Sequence, residues 1–293
     1  MHILEYLGTY PLAFTITSLI LGLMVGSFLN VVIYRLPVML QKDWRSQCEE
    51  FLEQEQPESE ESKPFNLATP ASTCPHCDHK IKPWENIPVF SYLLLLGRCS
   101  QCKNRISLRY PLIELVCGLM TAYMAWHFGF GLQALAAMVL TWTLISLAVI
   151  DYDTKLLPDI ITLPVLWLGL LLNINGTFTS LEDSVIGAMA GYLSLWSIYQ
   201  IHHLLTGKEG MGYGDFKLLA LFGAWLGWQS LLMIALLSSL VGAIVGISLI
   251  MIMGRDRQLP IPFGPYLAMA GWISLVWGDD LLQAYMGFAG LNV

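Results

Sequence analysis

The sequence predicts an all-α polytopic membrane protein, with about eight transmembrane helices and one small soluble domain inserted between the first and second spans. Three observations carry this. Of 293 residues, 55% are hydrophobic and 13% charged, where a soluble globular domain holds about 45–50% and about 25%. The mean hydropathy is +0.59. The apolar residues collect in stretches near the ~20 residues that a bilayer requires, and basic residues fall only in alternate connections between them or, as Lys217, at the edge of one. Disordered, collagenous and disulfide-rich secreted chains are excluded by the same composition.

Read in order, the apolar stretches are 12–34, 110–127, 131–150, 160–172, 184–201, 216–229, 231–253 and 260–278. The fourth and sixth are short or poorly bounded. The first lacks a basic n-region and is too long for a signal-peptide core, so it is expected to remain as a span. Of the fifteen Lys and Arg, ten lie in loop 35–109, and the others are Lys155, Lys208, Lys217, Arg255 and Arg257. The connections 1–11, 128–130, 173–183, 229–230 and 279–293 contain none but carry Glu5, Glu182, Asp183, Asp279 and Asp280. Eight spans put every basic residue on one side, which the positive-inside rule assigns to the cytoplasm, with both termini outside. Seven spans break that alternation.

Loop 35–109 divides in two. Residues 41–64 carry Glu49, Glu50, Glu53, Glu55, Glu58, Glu60 and Glu61 with few apolar residues, a composition that predicts a disordered acidic linker. Residues of about 70–105 carry Cys74-Pro75-His76-Cys77 and Cys99-Ser100-Gln101-Cys102. Two C-x2-C pairs separated by twenty-one residues are close to the spacing of a structural zinc site, because each tight turn offers two thiolates and two turns close a tetrahedral S4 shell around Zn²⁺. A redox-active C-x-x-C is the weaker rival, since two matched pairs are more than a redox site needs. A reducing cytoplasm removes the disulfide alternative, and the metal compensates for a core too small to hold about 40 residues together. His76 and His79 are then spectators. Cys117 is read as a buried free thiol within a span. The run Ile87–Leu96 is too short to cross a membrane, leaving core packing or contact with the membrane surface. The loop's ten basic residues are matched by ten acidic ones, and no stacking aromatics alternate with them, so nucleic acid is not an expected partner.

Ionisable groups at membrane depth are costly and usually functional. Asp151 follows the third span, and Asp215 opens the sixth in Gly210-Met211-Gly212-Tyr213-Gly214-Asp215-Phe216-Lys217. The threading puts both on the cytoplasmic side, where two helix ends can bring them together. Two close carboxylates cannot both ionise, so a pair shares a proton and can hydrolyse a peptide bond without metal or covalent intermediate. Gly212 and Gly214 are read as allowing positive φ and close approach of an extended peptide. The alternative is that both aspartates merely mark helix ends, with Lys155 and Lys217 as counter-charges. Asp153 and Asp159 read as hydration or capping residues, Glu114 as a group that snorkels or pairs, and Asn30 as an amide that helix packing must satisfy. Gly22, Gly26, Gly118 and Gly242-x-x-x-Gly246 read as helix-packing positions.

The stretch Gly22-Leu23-Met24-Val25-Gly26-Ser27-Phe28-Leu29-Asn30 through Arg35-Leu36-Pro37, the two cysteine pairs, Asp151 through Leu157-Pro158-Asp159, Gly207 through Lys217, and Pro262-Phe263-Gly264-Pro265 together resemble the bacterial prepilin peptidases. The resemblance covers nearly the whole chain except residues 41–64. It implies a membrane aspartic protease of the Gly-x-Gly-Asp type, with Asp151 and Asp215 catalytic and Gly212, Gly214 and Lys217 as supporting motif residues. The chain would then divide into a first transmembrane segment (1–34), the cytoplasmic loop (35–109) and a transmembrane peptidase core (110–293), in a bacterial inner membrane. The implied substrates are type IV prepilins and type II secretion pseudopilins, cut after a short basic leader. The new N-terminal residue would be methylated with S-adenosylmethionine as donor. Nothing here resembles a Rossmann fingerprint, so the methyltransferase rests on the resemblance alone. The rival classes are a membrane transporter and a secretion-machinery scaffold that docks through its zinc domain. A transporter predicts ionisable groups near the bilayer midplane and internal repeats, and neither is visible in the sequence.

Overall fold

In a computed structural model, residues 3–52, 65–208, 210–253 and 261–288 are described. Among them are ten α-helices, one 3₁₀ turn and only two isolated β-bridges. Three helical segments, Pro11–Phe51, Leu132–Thr154 and Gln229–Ile252, are long and apolar enough to cross a membrane. The expected all-helical membrane architecture is thereby present. The chain forms two compact units, Met1–Ala134 and Leu135–Val293.

The first unit contains α1 (Ile3–Thr9), α2 (Pro11–Phe51), the 3₁₀ turn Pro83–Asn86, α3 (Phe90–Leu94) and α4 (Arg109–Phe128). Helix α2 starts at Pro11, whose missing N–H costs nothing in a first turn. It then continues for 41 residues, about 60 Å at 1.5 Å per residue, twice the thickness of a hydrocarbon core. The expectation of disorder from residue 41 is therefore corrected as far as Phe51. Gln41, Lys42, Arg45, Gln47, Glu49 and Glu50 are good helix formers, and extending an existing helix avoids the cost of nucleation. Arg45 and Glu49 also pair at 3.3 Å one turn apart. The acidic residues 53–64 lie outside the described residues.

Helices α2 and α4 pack backbone to backbone. A Cβ on Gly22 would meet Thr121 Oγ1 at 2.5 Å, and one on Gly26 would meet the Glu114 Cα at 2.8 Å. Gly118 receives the Leu23 side chain from the opposite helix. Asn30 Nδ2 donates to the Tyr110 carbonyl at 3.2 Å, so its amide is satisfied across the helix pair as expected. Cys117 is fully buried there. Arg35, also buried, donates to the carbonyls of Asn66 (2.9 Å) and Pro70 (2.7 Å), stitching the start of the inserted domain onto α2.

The second unit contains α5 (Leu132–Thr154), α6 (Asp159–Asn173), α7 (Leu181–Thr206), α8 (Tyr213–Leu226), α9 (Gln229–Met253) and α10 (Gly264–Phe288). Its centre is α8, which α6, α7, α9 and α10 all touch. From Phe216 to Trp225 only Lys217 is not buried. Gly187 and Gly191 of α7 let the α8 backbone approach directly at Gly223 and Leu219. The far end of α8 is fixed by Asn173, which donates to the carbonyls of Ala224 (2.9 Å) and Trp225 (3.0 Å), and by Ser184, which donates to Ala224. Two expected boundaries shift. Helix α5 runs through Asp151 and Asp153, and α10 continues past Asp279 and Asp280, with a kink at Trp277. Arg255 and Arg257 lie outside the described residues.

Candidate active site and metal centre

Asp151 sits in the last turn of α5 and Asp215 in the first turn of α8. Both are buried, at 5% and 7% exposure, and the Asp215 carboxylate is within electrostatic reach of Asp151. Asp153, two residues on, is exposed. Asp151 has a backbone donor from a distant helix. The Gly264 N–H, at the start of α10, donates to Asp151 Oδ2 at 2.9 Å. Asp215 is the third residue of α8, and its own N–H donates to the carbonyl of Gly212, the residue that caps the helix, at 3.2 Å.

The glycines act differently from the sequence expectation. Gly212 has φ −78°, and neither it nor Gly214 is among the residues with positive φ. The reason is local: α8 begins at Tyr213, so Gly214 already has helical geometry. Close approach does hold at Gly214, where a Cβ would meet that of Leu157 at 2.7 Å. The neighbour is the chain's own α5–α6 connection.

Lys217 does not serve Asp215 as a counter-charge. Its Nζ donates to both carboxylate oxygens of Asp159 at 2.7 Å, tying the start of α8 to the start of α6. The sequence reads Asp159 as a capping or hydration residue, and its pairing across 58 positions is invisible to local pattern. Gly264 was also missed as a site residue. A Cβ on it would meet Asp151 Oδ2 at 2.7 Å, so glycine is needed for the backbone to reach the acid. The sequence did hold a signal, since a lone glycine between Pro262 and Pro265 marks a place of close approach.

In the first unit, the two cysteine pairs form turns of the same shape. The Cys74 N–H donates to the His79 carbonyl (2.9 Å), and the Asp78 N–H returns to Cys74 (2.9 Å). The Cys99 N–H donates to the Asn104 carbonyl (2.9 Å), and the Lys103 N–H returns to Cys99 (3.1 Å). Asp78 and Lys103 both take positive φ, 53° and 59°. The bridges Thr73–Lys80 and Arg98–Arg105 close the two turns. All four sulfurs lie within 4.8 Å of one another, with Cys74–Cys102 at 3.8 Å and Cys77–Cys99 at 4.0 Å. Thiolates at about 2.3 Å from a tetrahedral Zn²⁺ are about 3.8 Å apart, so the set fits that ion. Crowding splits the thiols. Backbone N–H groups of Cys102 and Gln101 bring Cys99 down to about 6. Cys77 also has a backbone donor in His79, but burial and three neighbouring sulfurs push it up to about 12. His79 stands outside the sulfur cluster. Its Nε2 faces Glu85 Oε2 (3.1 Å) and Ser100 Oγ (3.2 Å), bridging the two halves of the domain.

Residues 20–128 match the model of the bacterial peptidase A24 N-terminal domain, and residues 138–247 match that of the type IV leader peptidase family. The chain is similar over nearly its full length to proteins named prepilin leader peptidase/N-methyltransferase. The one from Stutzerimonas stutzeri is 57% identical over 98% of this chain and 99% of its own. Those from Pseudomonas aeruginosa and Aeromonas hydrophila are 54% identical over 100% of both chains and 53% identical over 97% of this chain and 98% of the relative. No solved structure matches. With both family models matching in order and relatives sharing half the residues end to end, the chain belongs to the type IV leader peptidase family.

Proposed function

We propose that this protein removes the short basic leader of type IV prepilins and type II secretion pseudopilins through the Asp151–Asp215 pair, then N-methylates the exposed N-terminal residue. Membership of the family favours this over a transporter or a scaffold. The observation that carries the catalytic assignment is the burial of these two carboxylates within electrostatic reach of each other. The chemistry follows from one shared proton. The ionised member takes a proton from water as its oxygen attacks the scissile carbonyl. The protonated member donates to the carbonyl oxygen. As the C–N bond breaks, the proton taken from water passes to the leaving amine and a hydroxyl of the tetrahedral intermediate returns its proton to the second carboxylate, restoring the singly protonated pair. Lys217 with Asp159, and Gly212, Gly214 and Gly264, hold the two helix ends in place.

Eight spans with both termini periplasmic place Asp151 and Asp215 on the cytoplasmic side. The substrate, an apolar helix behind a positively charged leader, presents its scissile bond on the same side. In this threading, residues 1–34 form the first membrane segment, 35–109 the cytoplasmic loop and 110–293 the peptidase core of an inner-membrane protein. Lipid and pilin substrates are its partners. Zn²⁺ held by Cys74, Cys77, Cys99 and Cys102 is structural. S-adenosylmethionine supplies the methyl group, and the new amine loses a proton as the sulfonium becomes a thioether. The test is a purified prepilin assayed with the detergent-solubilised enzyme, with mass spectrometry of both cleavage and methylation. An uncut substrate would remove the protease reading.

A further inference from the structure

The run Ile87–Leu96 does not form the core of the inserted domain. Phe90, Leu93, Leu94 and Leu96 are 63%, 62%, 82% and 85% exposed. Apolar exposure on a spanning helix is simply a lipid face. Here it occurs within the loop that carries most of the chain's charge, where water would make such a patch a liability. The patch is also held deliberately outward. Helix α3 is bracketed by Val89 at φ 61° and by Leu96 and Gly97 at φ 52° and 66°, and positive φ at a β-branched residue is strongly disfavoured. The Val89 N–H donates at 2.8 Å to Glu114 Oε2, a buried carboxylate of α4. Glu114 lies five residues beyond Arg109, about 7.5 Å along the helix axis. The start of α3 is thus fastened more than one turn inside the end of α4. Leu112, Leu115 and Leu119 of α4 are exposed apolar residues too, and Arg98 and Arg105, which follow the run in sequence, are exposed.

We infer that residues 87–96 lie in the interfacial layer of the bilayer, with Phe90, Leu93, Leu94 and Leu96 among acyl chains and Arg98 and Arg105 at anionic headgroups. Glu114 is the pin that sets the depth. Buried carboxylate, strained turn and apolar run form one device, which holds the four-cysteine domain flat against the membrane. The inference rests on the proposed assignment of α4 as a span, and the experiment separates the two. A photoreactive benzophenone amino acid is placed singly at Leu94, Leu119 and Gln41 of the full-length protein in vesicles of phosphatidylethanolamine and phosphatidylglycerol. Adducts are identified by mass spectrometry. Lipid adducts are expected at Leu94 and Leu119, with at least fivefold less at Gln41 on the α2 extension. Lipid labelling at Leu119 without labelling at Leu94, or Leu94 crosslinked to a second copy of the chain, would overturn the inference and leave the span intact. Equal lipid labelling at Gln41 would also overturn it, because the contact would not be specific to depth. No lipid at Leu119 would remove α4 from the membrane and the inference with it.

Discussion

Asp151 and Asp215 differ from their acidic neighbours in being buried, Asp151 with a backbone donor as well. Asn in place of either keeps shape and hydrogen bonding but cannot exchange the proton. Each of Asp151→Asn and Asp215→Asn is therefore expected to reduce leader cleavage at least 10²-fold, the lower range for a positioned acid or base, while membrane accumulation stays normal. Asp153→Asn, at an exposed position, should retain most activity. Full cleavage by Asp215→Asn would end the dyad assignment, and full cleavage by Asp151→Asn would move it to Asp153. Wild-type activity should fall at both pH extremes, as the pair loses its shared proton or gains a second, and the two apparent values belong to the pair. Gly264 makes a separate prediction. A methyl group at its Cα would press on Asp151 Oδ2 and disturb a hydrogen bond to a charged group, worth about 1.5–3 kcal/mol. Gly264→Ala should lower kcat roughly 10- to 100-fold and shift the pH–rate profile, whereas a purely structural defect would lower the amount of folded enzyme and leave the profile in place.

The helices explain why these side chains meet. Helix α8 has only 14 residues, about 21 Å, and it is buried among four other helices of its unit. Its first turn is held by the Lys217–Asp159 pair and its last by Asn173 and Ser184. Lys217→Met should loosen the first turn and raise KM or lower kcat for cleavage with the zinc content unchanged, and Asp159→Asn should mimic it. In the inserted domain, one Zn²⁺ per chain is expected by elemental analysis of protein purified without chelator. Cys77→Ser or Cys99→Ser should lose the metal and make loop 65–108 sensitive to added protease. Methylation should suffer more than cleavage, because the aspartates belong to the other unit. A reduced, metal-free wild type with an intact fold would refute the zinc assignment.

For the molecule as a whole, the charge asymmetry makes a topological prediction. Phe178→Cys and Lys208→Cys, each in a Cys48→Ser background, should label from opposite faces, position 178 from the periplasm. Labelling of both from one face would break the eight-span threading. The long α2 adds a constraint, since about 60 Å of helix leaves its polar end, Lys42 to Glu50, well outside any bilayer. A sequence read by composition ends that helix near residue 34. The helix itself runs on to Phe51, through Glu49 and Glu50 of the acidic stretch.

Composition and charge alternation were enough to specify a helical membrane protein, because transfer into lipid acts on every residue of a span and sums over it. The cysteine pairs were equally legible, since a C-x2-C turn needs only local backbone geometry to present two sulfurs. Asp151 and Asp215 could be named as a pair, but only resemblance favoured them over two helix-end charges. Tertiary structure decided the rest. Burial separated Asp151 from Asp153, and packing sent Lys217 to Asp159 instead of Asp215. A main-chain N–H of α10 reached Asp151 across 113 positions. Residues 87–96 turned outward through a strained valine pinned by Glu114. Each of these depends on contacts between segments far apart in the chain, and on backbone groups that every residue carries alike, so no local pattern could reveal them.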